Sequence, residues 1–359
     1  MLIMSFQPNY QNIIDAVCNR KPVRLPLYEH FISIETMESV LDMKLSHLLQ
    51  GDQKDREKFF KNFCHFFKEM TYDTVSYEVG ITSIIPDGGA LMGGKAGPIQ
   101  CKKDYEAYPW DELPRLYWEH ATPLFDTLVS QLPKGMKAIG GIGNGVFELL
   151  QDLVGMEYLG FLMVDEPETF EKVFIRIGDL MVTIWSEFMI RYREHFAVCR
   201  FGDDLGHKTG TMISPTHIRE NIIPQYKRVI DVIKKYDHPF LWHSCGKIFD
   251  IMDDVIELGI DAKHSNEDAI AAFPVWIEKY NDRLGLMGGF DVNILTLNSP
   301  EEIKEQVLKE GTQYRNNAKG YALGSGNSIP DYIPYKNFLA MVEAAKEIRE
   351  NEVRSILTT

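Results

Sequence analysis

His243 and Cys245 stand two positions apart in the run Phe240-Leu241-Trp242-His243-Ser244-Cys245-Gly246. In extended backbone that spacing turns both side chains to one side. An imidazole nitrogen and a thiolate are zinc-type donors. A catalytic zinc takes three protein ligands and keeps one position open for substrate. The third donor is expected from Glu78, Asp204, His264, Glu267 or Asn327, each at the polar end of another short run. The plainer alternative is a buried thiol beside a hydrogen-bonded imidazole, which needs no metal.

Other residues carry acid–base or binding chemistry. Paired carboxylates such as Asp203-Asp204 can hold a raised pKa and move protons. Adjacent residues point opposite ways in extended backbone, and Asp204 is the catalytic candidate of the two. His264 shares parity with Asn266 and is expected in the pocket, while Glu267 and Asp268 suit a helix start. Glu78 is a further catalytic candidate. Three residues are candidates for cofactor binding. Asn144 lies in Gly143-Asn144-Gly145-Val146-Phe147, where backbone N–H groups at a helix start can hold an anion. That stretch lacks the Lys of a phosphate loop, so a tight turn is the rival reading. Asp291 follows Gly288-Gly289, where backbone can approach a ligand closely or simply turn. Asn327 ends Gly324-Ser325-Gly326-Asn327.

These residues need elements that present them together. Around His243 the pattern is a short apolar strand, a polar tip, a helical stretch with Ile248, Ile251, Met252, Val255 and Ile256, and a second short strand ending at His264. A β/α barrel repeats that grammar and gathers reactive residues where its strands end. Apolar runs predict eight strands: 23–28, 73–77, 137–142, 197–201, 240–242, a sixth ending at His264, 284–289 and 320–324. Helical patterns fill the intervals, two of them opened by Ser214-Pro215 and Ser299-Pro300, with Ser as cap and Pro in the first turn. The expected fold is a single α/β (β/α)8 TIM barrel over 23–359, with an N-terminal helical extension over 1–22. A doubly wound open sheet is the runner-up, disfavoured because no GxGxxG follows the first strand. The Gly-rich stretch 81–101 is expected as an irregular excursion or a hairpin lid.

Bulk properties narrow the setting. With 359 residues and a formal net charge of -14, the surface disfavours nucleic acid and anionic membrane as partners. The five cysteines are odd in number and form no CxxC pair, which points to a reducing, cytoplasmic compartment. The N-terminal stretch is too polar for a signal peptide, and no apolar run is long enough to span a bilayer. The sequence leaves oligomeric state open.

Several stretches, taken in order, resemble the uroporphyrinogen decarboxylase superfamily over most of the chain. They are Gly145-Val146-Phe147-Glu148, Asp165-Glu166-Pro167-Glu168, Asp203-Asp204-Leu205-Gly206 before Met212-Ile213-Ser214-Pro215, His243-Ser244-Cys245-Gly246, Gly288-Gly289-Phe290-Asp291 and the 324–330 tail. The resemblance implies a barrel. True uroporphyrinogen decarboxylases carry an Arg-rich motif near the start, where this chain reads Leu25-Pro26-Leu27-Tyr28-Glu29-His30. The chain is closer to the branch of corrinoid-linked methyltransferases, including methylcobalamin:coenzyme M methyltransferases. Members of the coenzyme M type bind zinc through His-x-Cys after strand five and a further Cys after strand eight. His243 and Cys245 match the first pair, whereas the strand-eight tip has no Cys.

The resemblance thus implies a methyltransferase that moves a methyl group between a small methylated substrate or thiol and a corrinoid (cobalamin) on a separate protein. Zinc would be held by His243 and Cys245. Asp204, His264 and Glu78 would complete its shell, orient substrate or move a proton. Two rivals remain. Uroporphyrinogen decarboxylase would need a cationic pocket, for which Arg24, Lys95, Lys208, Lys247 and Lys263 are the candidates. A non-catalytic barrel would only bind a tetrapyrrole or corrinoid.

Overall fold

The computed structural model describes residues 6–358. Seven parallel strands form one sheet in chain order: β1 (Thr74–Gly80), β2 (Lys137–Gly143), β3 (Phe196–Gly202), β4 (Phe240–His243), β5 (Ala262–His264), β6 (Gly285–Phe290) and β7 (Tyr321–Ser325). Every residue of β3, β4 and β6 is buried, which is why these strands read as near-continuous apolar runs. Strand order never reverses, so the sheet is barrel-like and lacks the switch point of a doubly wound fold.

The expected strand over 23–28 does not form as a regular strand. Leu27 alone bridges Leu323 of β7. Tyr28 N donates to Leu323 O at 2.9 Å and Leu323 N to Pro26 O at 3.0 Å. On the β1 side the segment is tied by Ser76 Oγ donating to the Glu29 carbonyl. Pro22 and Pro26 have no N–H for a ladder, so this stave is an irregular segment held by side chains.

The helix Gln11–Val17 sits at the opposite end from the strand tips. Its Ile13, Ala16 and Val17 pack with Ile139, Ala197, Leu241, Ala262, Met287 and Ala322, one residue from each of β2 to β7. A Cβ on Gly285, the first residue of β6, would lie 2.2 Å from Ala16 O. The N-terminal end of the sheet is thereby filled, and open chemistry is left to the C-terminal end.

The helices cover the outer face. Gln53–Glu69 carries Phe59, Phe60, Phe63, Phe66 and Phe67 inward at helical spacing, and its start is fixed by a reciprocal cap between Asp52 and Asp55. Burial of each such ring stabilises by roughly 1.5–3 kcal/mol. Ser299 caps Pro300–Asn317, accepting from Glu302 N. Ser214 caps in the same way, accepting from His217 N. The helix it starts is interrupted by one wide turn, Ile218–Ile222, before Ile223–Lys234. Pro224 has no N–H to give at that point.

The 81–101 stretch is irregular. It holds two 3-10 turns, Ile81–Ile84 and Ala90–Met92, and no strand pairing. It packs on the helix Val146–Val154, with Gly97 N donating to Val154 O and Ile99 N to Leu153 O, both at 2.9 Å. Asp152 Oδ1 accepts from Gly89 N and Leu91 N.

Candidate active site

Register carries the imidazoles into one row at the C-terminal edge: Gly202 pairs with His243 across β3–β4, and His243 with His264 across β4–β5. Gly202 lies against the rings: a Cβ there would be in ordinary contact with His243 Cδ2 at 3.5 Å and His30 Cε1 at 3.6 Å. Past the tips, the loops after β3 and β4 meet through two glycines. A Cβ on Gly246, at φ +82°, would lie 2.1 Å from the carbonyl carbon of Gly206. Only glycine tolerates both that φ and that approach. The contact brings Asp204 to Cys245, whose N donates to Asp204 Oδ1 at 2.9 Å.

Asp204, His243 and Cys245 therefore converge. His243 Nε2 is 3.5 Å from Cys245 Sγ and 3.8 Å from Asp204 Oδ1. The three donor atoms all lie within 4.8 Å of one another. An oxygen, a nitrogen and a sulfur at that spacing fit a divalent zinc-type ion. His243 is 6% exposed at its side chain and Asp204 47%, so the trio is walled on one side and open on the other.

A chain of hydrogen bonds fixes which nitrogen of His243 faces the trio. His264 Nε2 is 3.0 Å from the carbonyl of Ser325, which can only accept, so this nitrogen carries the proton. Burial holds His264 down to about 3, and the ring is neutral. Its Nδ1 is then a bare acceptor. His243 Nδ1 lies 2.8 Å away and must donate to it. That leaves His243 Nε2 as an open lone pair pointing at Asp204 and Cys245, the state a metal ligand requires. His30, His243 and His264 also cluster. In that set the two Nδ1 atoms are occupied by each other and His264 Nε2 by Ser325, so it offers no cation site.

The sulfur is approached by two donors, Asn327 Nδ2 at 3.3 Å and Ser265 Oγ at 3.5 Å. Both would stabilise a thiolate. Without a cation, burial and then the charge of Asp204 push the Cys245 thiol well above its usual range. Lys263 sits behind Ser265, donating to its carbonyl, with its ammonium 3.8 Å from the Trp276 ring centroid. Glu29 braces the far end of the chain: it is fully buried, accepts from Ser325 N at 2.9 Å, and is pushed up to about 8 by burial.

The remaining candidates fall elsewhere. Glu78 belongs to the body of β1 and is clamped by Arg200, whose Nη2 and Nε donate to Glu78 Oε2 at 2.6 and 3.1 Å. Asp203 caps Val146–Val154, accepting from Phe147 N at 2.9 Å, Glu148 N at 2.8 Å and the Tyr226 hydroxyl at 2.5 Å. Asn144, at φ 69°, has both ends of its amide engaged. It accepts from Thr82 N and Oγ1 and donates to Glu148 Oε2 at 2.9 Å. Asp291 caps Val292–Leu297 and accepts from Asp268 N at 2.7 Å. With Asn327, Lys208 and Glu267 it also lines an open cavity of about 460 Å³ on the β5–β7 side of the trio.

Sequence reasoning passed over Arg200 and Ser325 and gave His30 little weight. Arg200 had a signal: a cation inside the buried run Ala197-Val198-Cys199-Arg200-Phe201 must have an anionic partner. His30, stacked on His243 with centroids 3.9 Å apart, had none beyond its place at an expected strand tip.

A methyltransferase from Methanosarcina mazei superposes with a TM-score of 0.73 at 14% identity, covering 95% of this chain and 99% of that one. A glycoside hydrolase family 5 enzyme from Prevotella bryantii reaches 0.43 at 9% identity, over 79% of this chain and 86% of that one. An endo-glycoceramidase II from Rhodococcus sp. reaches 0.44 at 10% identity, over 89% and 81%. No curated protein matches by sequence. The family model for uroporphyrinogen decarboxylase (URO-D) matches residues 96–348, a span that contains the trio and six of the seven strands, and the chain belongs to that family.

Proposed function

We propose that the protein is a methyltransferase that moves a methyl group between a small methylated substrate or thiol and a corrinoid, the corrinoid being a co-substrate brought by a separate protein in the cytoplasm. The convergence of Asp204, His243 and Cys245 at the open end of the sheet carries this reading. Asp204 takes the position of the third donor that the strand-eight tip does not provide as a Cys. Bound there, zinc supplies Lewis acidity: it lowers the pKa of a thiol or polarises the heteroatom that leaves.

The chain's own groups do the rest. His264 and Ser325 hold the His243 lone pair toward the site. Asn327 and Ser265 stabilise charge on Cys245. The half-exposed side of Asp204 leaves an approach for substrate. In the direction away from substrate, the methyl carbon separates from its heteroatom, the bonding pair stays on the heteroatom and takes up a proton, and the nucleophilic reduced corrinoid accepts the methyl. The fold shared with a methyltransferase agrees with this reading.

Decarboxylation of a many-carboxylate porphyrinogen finds little support. Of the candidate cations, Arg24 is paired with Asp73, Lys263 is buried against Trp276, and Lys208 faces the large cavity together with Glu267 and Asp291. Elemental analysis of protein purified without chelators tests the proposal. Zinc near one per chain is expected, lost in His243→Ala, Cys245→Ala and Asp204→Ala. Metal-free wild type that decarboxylates uroporphyrinogen overturns it.

A further inference from the structure

The cavity of about 460 Å³ on the β5–β7 side adjoins the trio through one side chain. Asn327 lines it, and Asn327 Nδ2 is 3.3 Å from Cys245 Sγ. A second link runs through the loop after β3. Residues 205–212 fold back as a small hairpin. Met212 N donates to Leu205 O at 2.8 Å, Gly206 and Thr211 form an antiparallel bridge, and His207 N donates to Gly210 O at 2.7 Å. Lys247 N, from the loop after β4, braces the hairpin by donating to His207 O at 2.8 Å. Asp204 stands at its base and Lys208 at its tip, where the lysine lines the cavity. Another wall is held as firmly. Asn266 N donates to Gly326 O at 2.8 Å and Asn266 Oδ1 accepts from Gly289 N at 3.0 Å, which fixes the β5 tip that carries Glu267.

Lys208 and Glu267 bring opposite charges to this one space. Among the described residues neither side chain has an ion pair or a hydrogen bond, and the two do not pair with each other. Asp291 adds a second carboxylate, whose oxygens accept from Asn293 N and Asp268 N, both at 2.7 Å. We propose that the cavity receives a zwitterion, an α-amino acid, whose carboxylate meets Lys208, whose ammonium meets Glu267 in the field of Asp291, and whose side chain is directed past Asn327 to the trio. That this molecule takes part in methyl transfer rests on the methyl-transfer reading; its charge pattern rests on the cavity alone. Selection works by exclusion as much as by attraction. A simple anion would face two carboxylates against one ammonium, and a simple cation would face Lys208. A molecule that carries both charges is attracted twice and repelled by neither end. The volume falls within the range of small-molecule sites. Uncharged groups of Asn293, Asn327 and Ser328 remain for the rest of the body.

Saturation-transfer NMR on the full chain tests the assignment with probes of related skeleton: L-norleucine, hexanoate, which lacks the ammonium, and pentylamine, which lacks the carboxylate. None carries a transferable methyl group, so they read the cavity and not the reaction. Norleucine is expected to bind with Kd on the order of 1 mM. Each truncated probe should bind about two- to fivefold more weakly, the worth of one exposed ion pair. Lys208→Met should weaken norleucine and hexanoate by that factor and spare pentylamine. Glu267→Gln should weaken norleucine and pentylamine and spare hexanoate. Lys208 is exposed and Glu267 partly so, and an unchanged thermal midpoint checks that each variant folds; Lys208→Gln and Glu267→Ala serve if either does not. Norleucine affinity within about twofold of wild type in Cys245→Ala separates the cavity from chelation of an ion by the amino acid. No saturable binding of norleucine, a truncated probe that matches it, loss in Cys245→Ala, or folded variants without the reciprocal pattern overturns the proposal. The reciprocal pattern in a protein that takes up no zinc sinks the methyl-transfer reading and leaves the cavity's assignment standing.

Discussion

Replacing His264 by leucine and, separately, by asparagine isolates the proton chain that sets His243. The two replacements have the same number of side-chain heavy atoms and branch at the same carbon, and only asparagine keeps an acceptor near the position of Nδ1. Both lose the bond to the Ser325 carbonyl, so that loss cancels between them. In the native chain His243 Nδ1 donates to His264 Nδ1 at 2.8 Å inside a buried site. His264→Leu strands that N–H, at a cost of about 1–3 kcal/mol. The ring can escape by moving its proton to Nε2, but that blocks the atom facing Asp204 and Cys245. Either route weakens metal binding. Outer partners of metal-bound imidazoles are worth about 10–100-fold in affinity, or roughly 1.4–2.7 kcal/mol. Competition with a chromogenic chelator at neutral pH should give a zinc affinity lower by about that factor for His264→Leu. His264→Asn should recover most of it. Wild-type affinity in the leucine variant, or equal weakness in the two, would show that the relay does not set the ligand nitrogen.

Two further outcomes follow from buried carboxyls, each read by denaturant titration. Glu29 is held at about 8 in the folded chain against 4.5 for the free group. As pH rises through that window the folded chain keeps a proton the unfolded chain has lost, so stability falls, by at most roughly 5 kcal/mol. Glu29→Gln should flatten this slope, and parallel slopes in the two proteins would refute the assignment. Asp203→Ala removes the acceptor of two helix-start N–H groups and the Tyr226 hydroxyl. It should cost about 3 kcal/mol at unchanged denaturant slope, and a loss under about 1 kcal/mol would mean those groups find other partners.

What the sequence made legible was local. The spacing of His243 and Cys245, the apolar runs of β2 to β7 and the Ser-Pro helix starts each follow from period and neighbour chemistry. The first stave, 23–28, was misread because its apolar content outweighed Pro22 and Pro26, whose missing N–H groups count more for a ladder than hydrophobicity does. The relay from Glu29 through Ser325 and His264 to His243 was illegible for a different reason. It joins residues from four places in the chain, and only sheet register sets His243 opposite His264. Likewise Asn327 reaches Cys245 from 82 residues away because β7 and β4 present their tips at the same end of the sheet.

The donor set bears on the chemistry. Asp204 with Cys245 would bring the same formal charge to a divalent ion as two thiolates, so the absent second Cys leaves the charge balance intact. A carboxylate is a harder ligand than a thiolate and gives less electron density to the ion. Zinc in this trio would therefore keep more Lewis acidity for the open position than zinc held by two sulfurs, and polarising an ether oxygen demands more of it than binding a thiol does.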